Sequence, residues 1–503
     1  MRATDALESL RRRRGAWARR RAAVLHVDLD RGLEPLTVPQ GYPSALLIVH
    51  QQGAVLGQVL LPARGVIPVE EQWSAIAHRM GAAIWRQRLR RSLAELAAAS
   101  GPPVPAADPP VAVVVCTRDR TDQLRACLDS LLALRTPAAE ILVVDNAPSD
   151  DRTRRLCDGY PVRYVLEPLP GQTRARNRGI VETGAAVVAF TDDDCVVDAG
   201  WLDGLGEAFR DPLVMAVTGY TGPLELEHHA QYLFELHGGF DRHPEPVLFD
   251  PLKTDPIIGA ATAGAGANMM FRREVFRAVG LFAEDLGPGT PARAGDDKDA
   301  FYRVLAAGYR IGYDPARIVW HRHRGDWDAL RRALEDYGVA EFAFTARALA
   351  TRRDAGVVQI WRWWARHLVG ETRRALTGRP GRMPLALPAS EARGWLGGPA
   401  GTIRSARSRR GIPPIELPPE RPPTAAPAPA PAPALSIAVV GEPPPALSVA
   451  IASRERAVML RRILTALAAQ DHPADRFEVV VVLDGSTDDS ASLARGHEVP
   501  FAV

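Results

Sequence analysis

Residues 190–194 read Phe-Thr-Asp-Asp-Asp, directly after the apolar run Ala185-Ala186-Val187-Val188-Ala189. That run predicts a buried strand, and three carboxylates at its mouth repel one another unless a cation holds them. Hard divalent cations take oxygen ligands and share them with substrate phosphates, so a metal-assisted reaction on a nucleotide is the chemistry this cluster could do. About a hundred residues later a second acidic cluster appears, Asp296-Asp297-Lys298-Asp299. It precedes the amphipathic pattern Phe301, Tyr302, Val304 and Leu305, which stops at Gly308. Its carboxylates suit the first turn of a helix, and closely spaced acids can raise one another's apparent pKa. His321 closes the set, after Arg317-Ile318-Val319-Trp320 and ahead of Arg322-His323-Arg324. A lone histidine in such a place is more often structural.

Elements that could position these groups are legible. Val111–Cys116 and Ile141–Val144 predict buried strands, Val162–Leu166 a third, and residues 185–190 a fourth, with helices between them over Leu124–Leu132 and Thr173–Glu182. Such alternation predicts an α/β fold with a mainly parallel sheet, whose ligands sit at the carboxyl ends of the strands. Asp119, Asp145 and Asp192–Asp194 all fall at such ends.

Around this unit the chain divides by composition. Residues 1–100 predict a small accessory α+β domain, with strands at 45–49 and 54–61 about a turn at Gln51-Gln52-Gly53. A helix over about 70–99 follows, with Trp73, Ile76, Ala77, Met80, Ile84 and Trp85 near the helical period. The α/β unit covers 111–350, and 351–412 is helical and basic. Residues 413–445 carry 13 prolines, an extended spacer. From 446 to 503 the pattern restarts: Leu447–Arg456 echoes Val111–Arg120, and Phe477–Ser486 echoes Ala139–Ser149, then the sequence ends before any acidic strand mouth. The second unit therefore reads as incomplete.

At 503 residues, 46% hydrophobic and net charge +3, the chain is an ordinary globular one with no overall balance calling for nucleic acid. Four cysteines without a CxxC pair predict buried free thiols, and neither a signal peptide nor an apolar run long enough for a membrane helix is expected. The expectation is a cytoplasmic protein. Eight arginines in residues 1–21, four in 403–410, and Trp361, Trp363 and Trp364 among basic residues add an expected peripheral contact with anionic membrane at its inner face.

The ordered motifs resemble an inverting glycosyltransferase of family 2, with the GT-A fold. They run Thr117-Arg118-Asp119-Arg120, Val143–Ser149, Ala175–Gly179, Asp192–Asp194, Gly264–Phe271, Gly295–Asp299 and Trp320-His321, over about residues 111–325. The resemblance implies a nucleotide-sugar donor, a glycan or lipid-linked acceptor, Mn²⁺ or Mg²⁺, and a role in cell-surface polysaccharide or glycoconjugate synthesis. Carried onto this sequence, Thr117, Arg118, Asp119, Asp145, Arg176, Asp192 and Asp193 bind the donor, with Arg174 and Arg178 competing for the place of Arg176. Asp192, Asp194 and His321 hold the metal, Gly266, Asn268 and Asp296 lie on the acceptor side, and Asp297 is the base. A catalytically silent binding module of the same fold is the alternative. Gln359-Ile360-Trp361-Arg362-Trp363 matches a pattern of processive synthases, but no membrane-spanning helices flank it.

Overall fold

The computed structural model describes residues 21–62, 65–99, 106–237, 239–240, 243–376, 384–418, 447–453, 457–468, 477–483 and 489–496. The chain divides near residue 417 into two compact units, and the chemistry lies in the first.

The first unit opens with β1 (Ala23–Asp28), β2 (Leu36–Thr37), β3 (Ser44–Gln51), β4 (Ala54–Pro62), β5 (Val66–Ile67) and α1 (Val69–Ala99). Strands β1, β3 and β4 form one sheet, with β1 parallel and β4 antiparallel to β3. Gln52 and Gly53 take positive φ, the geometry of a tight hairpin. Strand β3 is buried on both faces. Ala45, Leu47 and Val49 pack against Ile76, Met80 and Ile84 of α1, whereas Leu46 and Ile48 pack against Tyr220, Ile318 and Trp320. Its alternate residues thus serve two cores, which is why β3 reads as a continuous apolar run. Helix α1 has a non-helical Met80 (φ −135°), and Trp73 and Trp85 lie exposed rather than on the buried stripe.

Next come β6 (Val111–Thr117), α2 (Thr121–Leu132), β7 (Glu140–Asn146), α3 (Arg152–Cys157), β8 (Arg163–Glu167), α4 (Gln172–Glu182), β9 (Val187–Asp192) and β10 (Cys195–Val197). After them follow α5 (Leu205–Ala208), β11 (Val214–Pro223), α6 (His229–Leu236), β12 (Val247–Phe249), α7 (Pro256–Thr262), β13 (Met269–Arg272), α8 (Val275–Val279), α9 (Asp296–Ala306) and β14 (Arg310–His321). The sheet order is β10-β14-β11-β13-β9-β6-β7-β8, with β12 also on β14. Strands β9, β6, β7 and β8 are mutually parallel, so Thr117, Asp145 and Asp192 end at one edge. Beyond β9 the sheet is mixed: β13 is antiparallel to β9, and β10 is antiparallel to β14. An α/β fold with a mainly parallel central sheet is therefore what the chain adopts. Every residue of β6 is buried, and Gly179 of α4 sits where a Cβ would collide with Val114.

Three long helices complete the unit: α10 (Trp327–Arg352), α11 (Val357–Leu376) and α12 (Ala386–Ser408). Glycines bring α10 and α12 into backbone contact. A Cβ on Gly338 would strike the Glu391 carbonyl, and one on Gly394 would strike that of Glu335. Trp361 stacks on Phe342 and Trp364 on Trp395, so of the three tryptophans read as interfacial only Trp363 is exposed. All four cysteines are buried and free. Among the described residues no helix is long and apolar enough to cross a membrane. The arginines at 1–20 and most of the spacer lie outside the described residues.

In the second unit β15 (Leu447–Ser453) and β16 (Phe477–Leu483) pair in parallel, accompanied by α13 (Ala457–Ala468) and α14 (Ser490–Gly496).

Candidate functional site

A cavity of about 590 Å³ opens at the carboxyl edge of β6 and β9, walled by the start of α9, the 264–267 loop and α10. The two acidic clusters and His321 all line it, brought together from three distant stretches of sequence.

Strand β9 delivers Asp192 at its end, and the turn after it carries Asp193 and Asp194. Arg120 Nη1 donates to two of the three carboxylates, Asp193 and, at 3.3 Å, Asp194. Asp193 is 4% exposed and inward-facing, accepting from Thr117 Oγ1 at 2.8 Å and from Arg120 Nη1 at 3.1 Å. Burial pushes its carboxyl up to about 6 against the opposing pull of Arg120. Asp192 accepts from Gln172 Nε2 at 2.8 Å and from Arg176 at 3.3 Å. Burial raises its carboxyl too, Arg176 resists, and the repulsion of Asp194 adds to the rise. Asp194 turns toward β14, where the antiparallel register sets Cys195 opposite His321 and leaves His321 Nε2 3.4 Å from Asp194 Oδ1. Ligand atoms of Asp194, Cys195 and His321 lie within 4.8 Å of one another.

These groups fit a hard divalent ion. The Cys195 thiol is pushed far up by burial and by the charges of Asp194 and Asp192, so it stays neutral and binds metal weakly. An oxygen and an imidazole nitrogen remain, a set suited to Mn²⁺ or Mg²⁺ completed by substrate oxygens. His323 points elsewhere. It is 3% exposed, among Phe234 and Phe240, with Nε2 2.7 Å from Glu235 Oε1. Its Nδ1 lies 3.1 Å from that of His321, so it orients the cavity-lining ring.

The phase of α4 resolves its three arginines. Arg174 and Arg178, one turn apart, both pair with Glu167 at the end of β8, and Arg174 also pairs with Glu284. Arg176 faces the cavity instead. Its guanidinium bonds Asp296 at 2.7 Å and Asp192 at 3.3 Å, and donates to the Gly266 carbonyl at 3.3 Å. Burial opposes its charge, but Asp296 and Asp192 outweigh that and hold it firmly cationic. One buried cation thereby ties the two acidic clusters together.

On the far wall Asp297 stands in the first turn of α9. Its Oδ2 accepts from Gly266 N at 2.9 Å and its Oδ1 from Lys298 N at 2.8 Å. Burial and then the neighbouring Asp296 raise its carboxyl, against the pull of Arg176 and Lys298. A Cβ on Gly266 would lie 2.9 Å from Asp297 Oδ2, so the loop must be bare there. Asp296 is taken up by Arg176, leaving Asp297 as the carboxylate of the pair without an ion-pair partner shorter than 4.0 Å among the described residues.

The remaining residues singled out in the sequence lie as follows. Asn268 does not line the cavity: it is wholly buried, its amide donates to the carbonyls of Tyr220 and Arg317, and its oxygen accepts from Trp201 Nε1. Both amide hydrogens are thereby committed to the backbone. Asp145 and Asp119 do not line the cavity. Asp145 is buried and accepts from Tyr164 OH at 3.1 Å, with its carboxyl pushed up to about 6 by that burial. Asp119, at φ 55°, accepts from the Ser149 amide and so fixes the β7 loop. Thr117 and Arg118 do line it, as does Asn146, which holds the Gly171 turn ahead of α4. Sequence reading gave no role to Arg120, Gln172 or the α10 residues Tyr337 and Glu341. Arg120 stood in the quoted Thr117–Arg120 string, but nothing local marks α10 as a wall.

The model of the family described as Glycosyl transferase family 2 matches residues 112–280 and again 448–500. A pre-mycofactocin glycosyltransferase of Mycobacterium tuberculosis is 31% identical over 245 residues, 46% of this chain and 47% of that protein. Glycosyltransferase AglE of Haloferax volcanii is 26% identical over 219 residues, 42% of this chain and 68% of that one. Among solved structures, the mannosyltransferase PcManGT of Pyrobaculum calidifontis, in complex with GDP-Man and Mn²⁺, aligns at 21% identity over 66% of this chain and 95% of its own, with a TM-score of 0.39. The chain spans about half the length of the mycobacterial relatives it matches.

Proposed function

We propose that this chain, built around a family 2 glycosyltransferase domain, moves a sugar from a nucleotide-sugar donor to a hydroxyl of a glycan or lipid-linked acceptor, with inversion, in cell-surface polysaccharide or glycoconjugate synthesis. The observation that carries the reading is the placement of Asp194 with His321 and of Asp297 on facing walls of one cavity. A silent binding module would have no need to converge them.

Asp194 and His321 would hold Mn²⁺ or Mg²⁺, with Asp192 beside them toward the donor. The ion would neutralise the diphosphate as it leaves. Thr117, Arg118 and Asn146 line the donor end, while Arg120 and Thr117 fix Asp193 so that its neighbours keep their aim. Asp297 takes the proton of the acceptor hydroxyl as that oxygen bonds the anomeric carbon and the carbon–phosphate-oxygen bond breaks on the opposite side. A single displacement of this kind inverts the anomeric centre. Its raised carboxyl pKa makes Asp297 a stronger base than an exposed aspartate. The decisive experiment screens nucleotide sugars for release of nucleoside diphosphate, with and without Mn²⁺. A chain that releases none with any donor is not a transferase.

An acceptor anchored in lipid fits a second feature. Arg362, Trp363, Arg366, Val369, Arg373 and Leu376 are exposed along α11, a mixed basic and apolar face of the kind that rests on anionic lipid. Salt-sensitive co-sedimentation with anionic but not neutral liposomes checks it.

A further inference from the structure

Away from the cavity, three helices bring together a second group of metal-ligating side chains. His237 caps the C-terminus of α6, His367 and Glu371 lie one turn apart on α11, and Glu391 projects from α12. We propose that His237, His367 and Glu391 bind a zinc-class transition-metal ion, with Glu371 as the carboxylate that orients His237.

The spacing carries the argument. His237 Nε2 and His367 Nε2 lie 3.3 and 3.5 Å from the same oxygen, Glu391 Oε2, and all three ligand atoms fall within 4.8 Å of one another. Those separations are long for hydrogen bonds to a carboxylate. They match the edge of a tetrahedron, about 3.4 Å for bonds of about 2.1 Å to nitrogen and oxygen. Two histidines and one carboxylate form a familiar set for such an ion, with water in the fourth position.

Unpartnered atoms supply the second observation. His237 Nδ1 and Glu371 Oε2 are both buried without a hydrogen bond, 3.9 Å apart. The Glu371 side chain is 4% exposed, and its other oxygen is held by Arg374 at 2.6 Å. A metal on Nε2 would fix the His237 proton on Nδ1, aimed at Glu371, which is the arrangement that commonly supports a ligating histidine. Stacking on Trp363 holds the His367 ring, and the backbone contact between α10 and α12 holds Glu391.

The ion would pin α11 and α12 to the end of α6. That helix contributes Phe234 to the catalytic cavity, and its Glu235 holds His323 beside His321. The role is structural, and the bound ion is distinct from the one proposed at Asp194.

The test uses the full chain carrying Asp194→Ala, which removes the catalytic metal site from the count. Stripped with a chelator and titrated with Co²⁺, it should bind one equivalent with the intense visible bands of tetrahedral coordination, displaced by Zn²⁺. Adding His367→Ala or Glu391→Gln should abolish the bands, and Glu371→Gln should weaken affinity by roughly 10–100-fold. The Co²⁺ measurement on the folded Asp194→Ala chain stands even where a ligand variant fails to fold. Absence of stoichiometric binding there, a weak octahedral spectrum, or bands unchanged in a folded His367→Ala variant would each overturn the site.

Discussion

The segment β6–α2–β7 and the segment β15–α13–β16 are built to one plan and end differently. Both pair their strands in parallel with equivalent positions facing each other, Ala112 opposite Glu140 in one and Ser448 opposite Glu478 in the other. At the last rung Thr117 faces Asp145, whereas Ser453 faces Leu483, and the aspartate comes one residue later in sequence, as Asp484. In the first, Val144 is wholly buried because α4 covers the second face of the sheet; its counterpart Val482 is 55% exposed. A strand pair with one helical layer leaves such a face uncovered. What turns the first copy into a candidate enzyme is the later chain: β9 with its acidic mouth, β14 with His321, and α9 with Asp297.

The sharpest way to break that comparison is Asp194→Ala. It should lower transfer by roughly 10³-fold or more, since the leaving diphosphate loses its charge partner. Calorimetry of nucleoside diphosphate binding should show the Mn²⁺ dependence gone, and retained dependence would move the site elsewhere. Asp297→Asn should keep donor binding and cut turnover by roughly 10²–10⁴; native turnover in that variant would hand the role to another group.

A pH profile sharpens the same assignment. The base proposed, Asp297, would work deprotonated and its pKa is raised, so activity should be present above that raised value and lost as pH falls through it. Turnover should therefore fall away at higher pH than for an ordinary aspartate. Lys298→Met removes a group that favours the charged form and should move the acid limb further up. An acid limb that stays in place separates Asp297 from the titration.

Smaller effects contrast the scaffolds themselves. Val144→Ala should cost about 2 kcal/mol in guanidinium unfolding, and Val482→Ala less than about 0.5 kcal/mol, one leaving a cavity and the other touching water. Removing residues 447–503 should leave turnover unchanged. A drop would mean the second unit contributes to the reaction.

Much of the site was legible because its acids occur as strings at element ends, where strand pattern and helix start mark them. The choice among Arg174, Arg176 and Arg178 was legible in principle, since 174 and 178 share a helical face and 176 does not. Asn268 was not: its role is set by Trp201, Tyr220 and Arg317, which only the fold brings near. Nor was the exposure of Trp85, because the break at Met80 resets the phase of α1 in a way no periodicity shows.

Strand β3 has one more consequence, and it concerns the order of events at the ribosome. Its Leu46 and Ile48 face shares a core with Tyr220, Leu226 and Tyr232, and that core is completed only by Ile318 and Trp320, 270 residues further along. At ordinary rates of synthesis that interval is roughly 15–55 s. Throughout it the amino-terminal sheet carries an incompletely covered apolar face beside the edges of β1 and β4, a condition in which nascent chains associate wrongly. Overexpression should expose this hazard, and slower synthesis at lower temperature or a holding chaperone should relieve it more than any change to the cavity.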